Sequence, residues 1–75
     1  MPKLVQLDAM GVECPIPVIR TRKALAKLQT GDILEVKCTD PMAGIDIPCL
    51  LFKTGDKLLE NISSNSVITL RVEKA

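Results

Sequence analysis

Apolar and polar residues alternate in four segments of the chain, which is the pattern of strands that bury one face. The segments are KLVQLD at 3–8, ILEVKC at 33–38, KLLENISS at 57–64 and VITLRVEKA at 67–75. Their inward positions are Val5 and Leu7, then Leu34, Val36 and Cys38, and in the last strand Ile68, Leu70 and Val72. SNS at 64–66 joins the last two segments, so we expect an antiparallel hairpin there.

A fifth segment repeats apolar residues at the spacing of three and four that marks one face of a helix. Its inward positions are Val18, Thr21, Ala24, Leu25 and Leu28. The pattern predicts an amphipathic helix of about three turns after Cys14, with a turn around Gly11 before it. The helix is expected to stop at TGD, 30–32, where Gly31 supplies a left-handed cap.

A second helix is bounded by turn and cap residues. Asp40 and Asp46 each stand shortly before a proline, and both are predicted to cap a helix start. Because Gly44 weakens a long continuous helix, we expect a loop or short turn there. The helix itself is predicted from about Asp46 to Thr54 and ends at Gly55.

The elements thus follow in the order strand, helix, strand, helix, strand, strand. A sheet with two helices on one face is the compact solution, since each helix buries one stripe against it. The chain has 75 residues, of which 47% are hydrophobic, and this is enough for one small core. We therefore expect a single domain over residues 1–75.

Composition and charge exclude several classes of function. Ten Lys and Arg against nine Asp and Glu leave a net charge of +1, and Phe52 is the only aromatic residue. Direct binding of nucleic acid is therefore not expected. No segment has the apolar length of a membrane span, and Met1–Ala9 lacks the apolar run of a signal peptide. We expect a cytoplasmic monomer with free thiols, since its three cysteines form no even set of pairs.

The stretch GVECPIPVIRTRKA at 11–24 places Cys14 directly ahead of two prolines. Pro15 and Pro17 suit the first turn of a helix, so they define the helix start beside Cys14. A thiol there lies near unpaired amides and the positive end of the helix dipole, which predicts a pKa below about 8.5. The chain has no histidine to act as a base and no cysteine two residues beyond Cys14. A lone activated thiol suits the transfer of sulfur, although spacing alone equally allows a buried or capping cysteine.

The segment LDAMGVECPIPVIRTRKAL at 7–25 resembles the leading motif of the TusA/SirA-type sulfur carriers, in which Leu-Asp and Gly precede Cys-Pro-x-Pro. The likeness continues in GDILEVKCTDPMAGIDIP at 31–48, with its Gly-Asp, strand, Asp-Pro and Asp-Ile-Pro succession. The match to acidic motif positions also allows Asp40 and Asp46 a part in shaping the site, although capping is the favoured role. The resemblance implies an α+β fold, a two-layer α/β sandwich of βαβαββ order with a mixed four-stranded sheet and two helices on one face. The pattern of the residues predicts the same order.

The resemblance also implies a chemistry for Cys14. In such carriers the matching cysteine accepts sulfane sulfur from a donor such as a cysteine desulfurase or rhodanese, and holds it as a persulfide. It then passes the sulfur to an acceptor protein, without a metal or organic cofactor. Relatives supply tRNA thiolation, molybdenum cofactor synthesis or sulfur oxidation, and some act as regulators. Such a protein is a sulfurtransferase-type relay rather than a conventional turnover enzyme, and whether to class it as an enzyme is left open.

The other two cysteines have separate predicted roles. Cys38 shares a strand face with apolar residues and is predicted to belong to the core. Cys49 follows Asp-Ile-Pro at the predicted start of the second helix, which makes it a candidate second thiol or a disulfide partner of Cys14, although a core or interface contact is its simpler role. Zinc is not expected, because structural zinc requires four ligands in closely spaced pairs.

The first helix carries four cations, Arg20, Arg22, Lys23 and Lys27. Their simplest role is a solvated face, and their functional role would be a docking surface for an acidic partner. The sequence therefore predicts a sulfur carrier with Cys14 as nucleophile, supported by Pro15 and Pro17. Two alternatives remain open, namely a regulatory or binding module that uses the basic helix, and a redox sensor that pairs Cys14 with Cys49.

Overall fold

Four strands and two helices alternate in the predicted order in the computed structural model, which describes residues 3–75. They are β1 (Leu4–Ala9), α1 (Ile16–Ala26), β2 (Ile33–Cys38), α2 (Ala43–Thr54), β3 (Lys57–Ser64) and β4 (Val67–Glu73). The expectations for a domain over 1–75 and for the stretch Met1–Ala9 both begin outside the described residues.

The strands form one mixed sheet in the order β1-β2-β4-β3. β1 and β2 are parallel, with Leu4 opposite Ile33, whereas β2 with β4 and β4 with β3 are antiparallel. α1 packs on β1 and β2, α2 packs on β3 and β4, and the helices touch each other. Both helices therefore cover the same face of the sheet, as the sequence predicts.

The core lies between this sheet face and the two helices. Its fully or nearly fully buried members include the predicted inward residues Leu34, Val36, Cys38, Leu70 and Val72. The helices contribute Leu25 from α1, and Ala43, Ile47 and Leu51 from α2. The alternation in β2 and β4 thus identified the buried face correctly.

The uncovered face of the sheet carries several charged residues, of which Glu35 is only 6% exposed. Its carboxylate accepts hydrogen bonds from Arg71 at 3.0 Å and from Gln6 at 3.4 Å. Arg71 also pairs with Glu60 at 3.2 Å. Arg71 and Gln6 therefore pair with Glu35 across the strands, although the strand pattern alone placed Glu35 at an open position.

Two of the predicted helix boundaries are wrong. α1 ends at Ala26 with Lys27 as its right-handed cap, so Gly31, although its φ is +91°, does not cap the helix. α2 begins at Ala43 and so includes Gly44, which was expected to lie in a loop. The end of α2 is as predicted, because Gly55 adopts φ of +84° and donates its N–H to Leu51.

The hairpin between β3 and β4 turns at Asn65 and Ser66, where φ is 53° and 64°. Two consecutive residues in the left-handed region make the tight connection that suits the twist of antiparallel strands. The predicted hairpin is therefore confirmed.

Candidate functional site

The loops after β1 and β2 meet at one edge of the sheet, because the carboxyl ends of parallel strands point the same way. The N–H of Gly11 donates to the Thr39 hydroxyl at 3.0 Å and ties one loop to the other. Gly11 adopts φ of +76°, a conformation that glycine takes readily, and the turn predicted around it is confirmed. Residues 11–14 and 39–41 line an open depression of about 500 Å³ between the loops.

Cys14 lies in this depression, immediately before the start of α1. Pro15 is the N-cap of the helix, and Pro17 is in its first turn and buried. The N–H of Ile16 donates to Glu13 at 2.9 Å and that of Ile19 donates to Pro15 at 3.1 Å. The peptide bond between Cys14 and Pro15 is cis. The prediction that two prolines define a helix start beside Cys14 is confirmed.

The Cys14 side chain is exposed, and its thiol donates a hydrogen bond to Oδ2 of Asp46 at 3.1 Å. The backbone N–H of Cys14 donates to the Asp40 carboxylate. The second oxygen of Asp40 accepts the N–H of Met42 at 3.0 Å. Two carboxylates from the second loop and α2 thus hold both the backbone and the side chain of Cys14.

The predicted lowering of the Cys14 pKa is wrong, because this environment raises it. The hydrogen bond to Asp46 contributes most, followed by partial desolvation and by the negative charges of Asp46 and Asp40. The first turn of α1 also offers few free amides. Pro15 and Pro17 have no N–H, and that of Ile16 is already bound to Glu13. A nearby carboxylate therefore outweighs the helix start on which the prediction relied.

Neither aspartate is a helix cap, contrary to the prediction. Met42 is the N-cap residue of α2, with no side-chain cap, and Asp46 lies in the first helical turn. The contacts of both aspartates with Cys14 agree instead with the second role that the Asp-Pro and Asp-Ile-Pro motifs allow, a part in shaping the site.

The other two thiols lie in different surroundings. Cys38 is fully buried, its Sγ is 3.7 Å from the carbonyl oxygen of Ile68, and burial raises its pKa, so its predicted core role is confirmed. Cys49 is exposed in the middle of α2 rather than at its start. The helix-start argument for its reactivity therefore fails. All three cysteines are free, and within residues 3–75 no group of His, Cys, Asp or Glu is arranged to hold a metal ion.

The four predicted docking cations are all exposed, but they do not form one surface. Arg20, Lys23 and Lys27 line a groove between α1 and the edge strand β1, whereas Arg22 is not among its lining residues. The Arg20 guanidinium donates to the carbonyl oxygen of Asp8 at 3.3 Å, at the carboxyl end of β1. The basic groove therefore begins at the edge of the sheet that carries the site.

α2 exposes an apolar stripe that sequence analysis did not identify. We call Met42, Ile45, Cys49 and Phe52 the α2 stripe, because their spacing of three, four and three places them along one side of the helix. Met42 is 50% exposed, Ile45 60% and Phe52 90%. Met42 precedes Asp46 by four residues and so lies on the same side of the helix. The stripe therefore begins beside the residue that binds the Cys14 thiol.

None of the helices formed by residues 3–75 combines the length and apolar character needed to cross a membrane. Fold and site together define a small two-layer α+β protein that presents one exposed thiol, held by carboxylates, at the carboxyl ends of two parallel strands.

The chain belongs to the TusA sulfurtransferase family, since the family model described as "Sulfurtransferase TusA" matches residues 5–74. It is 42% identical over 67 residues to a protein of Neisseria meningitidis serogroup A whose name describes a candidate sulfur carrier, covering 89% of this chain and 90% of the relative. It is 31% identical to the sulfur carrier protein TusA of Allochromatium vinosum over 93% and 92% of the two chains.

The fold has a solved counterpart. The crystal structure of a SirA-like protein from Desulfitobacterium hafniense matches with a TM-score of 0.82 and 31% identity, over 92% of this chain and 95% of that one. The βαβαββ sandwich and the resemblance stated from the motifs are confirmed. Family and relatives assign the chain a sulfur-carrier role, and they do not favour the regulatory module or the redox sensor.

Proposed function

We propose that the protein accepts sulfane sulfur on Cys14 as a persulfide and relays it to an acceptor protein. The observation that carries the proposal is the position of Cys14, whose exposed thiol lies in the depression between two loops at the carboxyl ends of parallel strands. Ligands of sheets with parallel strands commonly bind just beyond the carboxyl ends of those strands. Cys38 is buried and Cys49 lies outside this depression, so Cys14 is the thiol that a partner reaches at the site.

The exchange is a displacement between sulfur atoms. The thiolate of Cys14 attacks the outer sulfur of the donor's persulfide, a new S–S bond forms and the donor's own S–S bond breaks. The donor cysteine leaves with the electron pair and takes up a proton. The reverse displacement, by a thiolate of the acceptor, unloads the carrier. No net oxidation occurs, so Cys14 needs no metal or organic cofactor for either step.

A carrier of this kind acts between two proteins. A cysteine desulfurase or a rhodanese has the chemistry of the donor, and a second sulfur-transfer protein has that of the acceptor. We place the exchange in the cytoplasm, where reducing conditions keep thiols free. tRNA thiolation, molybdenum cofactor synthesis and sulfur oxidation are all destinations that accept sulfur in this form.

The proposal is tested by loading the protein with a cysteine desulfurase and free cysteine. We expect the intact mass to rise by one sulfur atom, and dithiothreitol to remove it. Peptide mapping should locate the added sulfur on Cys14. Loading that maps to Cys49, or a mass that does not change with an active desulfurase, would contradict the proposal.

We expect the α2 stripe to contact the donor protein, because it adjoins the residue that binds the Cys14 thiol. Exposed aromatic and aliphatic anchors carry much of the energy of protein interfaces. Replacing Ile45 and Phe52 by Ala should therefore slow loading by the desulfurase about tenfold. Ile62→Ala, which removes another exposed apolar side chain from β3, is the matched control and should load normally.

The same variants can be loaded chemically to separate docking from reactivity. Inorganic polysulfide needs no docking surface, so Ile45→Ala/Phe52→Ala should load with it as fast as the parent protein does. Equal loading by the desulfurase in all variants would show that the α2 stripe does not contact the donor.

A further inference from the structure

Three acidic side chains from α2 and the two loops lie around Cys14. Asp46 comes from α2, Asp40 from the loop before it, and Glu13 from the loop that contains Cys14 and lines the same depression. Arg20 of α1 donates to the backbone oxygen of Asp8 and not to these carboxylates. The reactive sulfur therefore lies in an acidic surrounding.

No ion pair among residues 3–75 neutralises these two aspartates. The pairs that the structure contains are Arg71 with Glu35, Arg71 with Glu60 and Lys74 with Asp56. One oxygen of Asp46 instead accepts a hydrogen bond from the Cys14 thiol at 3.1 Å. This hydrogen bond exists only while the thiol keeps its proton. The carboxylate thus stabilises the unreactive form of the sulfur and remains available to an external cation.

We propose that Asp46 is a positioning residue that keeps Cys14 as a protonated thiol in the free protein, and that a cationic group of the sulfur donor releases the thiol by pairing with the Asp46 carboxylate. The proposal rests on the proposed function, since it concerns the step in which Cys14 takes up sulfur. It also specifies a feature of the donor protein, namely a lysine or arginine beside the sulfur that is transferred.

The physical argument concerns the state of the sulfur. A thiol is a poor nucleophile compared with its thiolate, and the carboxylates around Cys14 raise its pKa. A cation on Asp46 cancels the nearest negative charge and competes for the oxygen that binds the thiol proton. The proton then passes to water, and the Cys14 thiolate attacks the donor's outer sulfur. The departing donor thiolate takes a proton from water, so protons balance over the step.

The test measures thiol–disulfide exchange with small disulfides of different charge. Cystamine is cationic, bis(2-hydroxyethyl) disulfide is neutral and 3,3′-dithiodipropionate is anionic. All of these measurements use Cys49→Ser as the parent protein, because the exposed Cys49 thiol would otherwise react with the same disulfides. Each rate is divided by the rate of the same disulfide with N-acetylcysteinamide, which removes differences in intrinsic reactivity. We expect cystamine to react about two to five times faster than the neutral reagent after this correction, and the anionic one more slowly.

Asp46→Asn should weaken the charge preference, because Asp40 and Glu13 remain, and it should move the pH profile of alkylation by iodoacetamide to lower pH, with a severalfold faster rate at pH 7.5. The matched control is Glu73→Gln. Glu73 is the last residue of β4 and pairs with Ile33 at the start of β2, so it lies at the end of the sheet away from Cys14. This variant should change neither readout. Salt should weaken the preference of the parent protein, because it screens exposed charges.

An unchanged pH profile in a folded Asp46→Asn variant would overturn the proposal. An absence of charge preference in the parent protein at low salt would also overturn it, and this measurement needs no variant at Asp46. Neither readout involves sulfur transfer. A protein that shows the preference but takes up no sulfur from a desulfurase would therefore contradict the proposed function and not the role of Asp46.

Discussion

A Cys14→Ser variant is expected to take up no sulfur from a cysteine desulfurase. Serine fills nearly the same space and can still donate to Asp46, so the site should keep its shape while losing the atom that forms the persulfide. A serine hydroxyl has no comparable nucleophilicity at neutral pH without an activating base. Intact-mass measurement after incubation with the desulfurase and cysteine should show only the unmodified protein.

Cys49→Ser provides the control for this result. Cys49 is an exposed thiol of the same chain, but it lies in the middle of α2 and does not line the depression of Cys14. This variant should load one sulfur atom, as the parent protein does. If Cys14→Ser took up a full sulfur atom, or if Cys49→Ser alone took up none, Cys14 would not be the residue that carries the sulfur.

Leu34→Ala is expected to cost the largest share of stability among single core changes. Leu34 lies in the central strand β2, its side chain is 0% exposed, and it is among the largest fully buried side chains. Truncation of a buried leucine costs about 2 to 5 kcal/mol, because transfer energy is lost and a cavity remains. Domains of this kind have about 5 to 15 kcal/mol in total, so a large part of the free energy of unfolding should disappear. Urea denaturation followed by circular dichroism measures the change.

Leu4→Ala makes the same chemical change on the neighbouring strand. Leu4 pairs with Ile33 across β1 and β2 but is 55% exposed. Its loss should change the free energy of unfolding by about 0.5 kcal/mol or less. Equal losses in the two variants would mean that the face of β2 that bears Leu34 is not the core face.

A carrier and an enzyme with a permanent nucleophile place different demands on a thiol. An enzyme benefits from a thiolate that is ready at all times, but a carrier moves between partners through a cell that contains oxidants and electrophiles. A hydrogen bond from Cys14 to Asp46 protects the sulfur between encounters. The acidic surrounding of Cys14 and the apolar α2 stripe beside it together describe a surface that becomes reactive when a partner binds.

The elements of the fold follow from local patterns, and the errors occur where packing overrides them. Gly44 was interpreted as a helix breaker, since glycine weakens a helix in isolation. In the structure it lies within α2, and a Cβ at this position would be 3.3 Å from the Ile68 side chain. A larger residue there would require the Ile68 side chain to shift by a few tenths of an ångström, and the sequence contains no local signal of this contact between α2 and β4.

The part of the candidate site that depends on local backbone preferences was also predictable from the sequence. Cys14, Pro15 and Pro17 are consecutive or nearly so, and their placement at a helix start depends only on backbone preferences that act within a few residues. Arg20, Lys23 and Lys27 lie on one side of α1 by helical spacing, but their groove needs β1 as its second wall. Arg22 shows the limit of the sequence argument, since charge alone placed it with the other three.

The sequence by itself determined the order of the elements, the buried face of the central strands and the cysteine at the start of α1, because periodicity and proline geometry are local. The tertiary structure decided the state of that cysteine. Asp46 is 32 residues away in the chain, and only the parallel pairing of β1 with β2 brings the start of α2 beside the start of α1. The residue that governs the thiol is thus set by strand pairing, which no pattern within GVECPIPVIRTRKA contains.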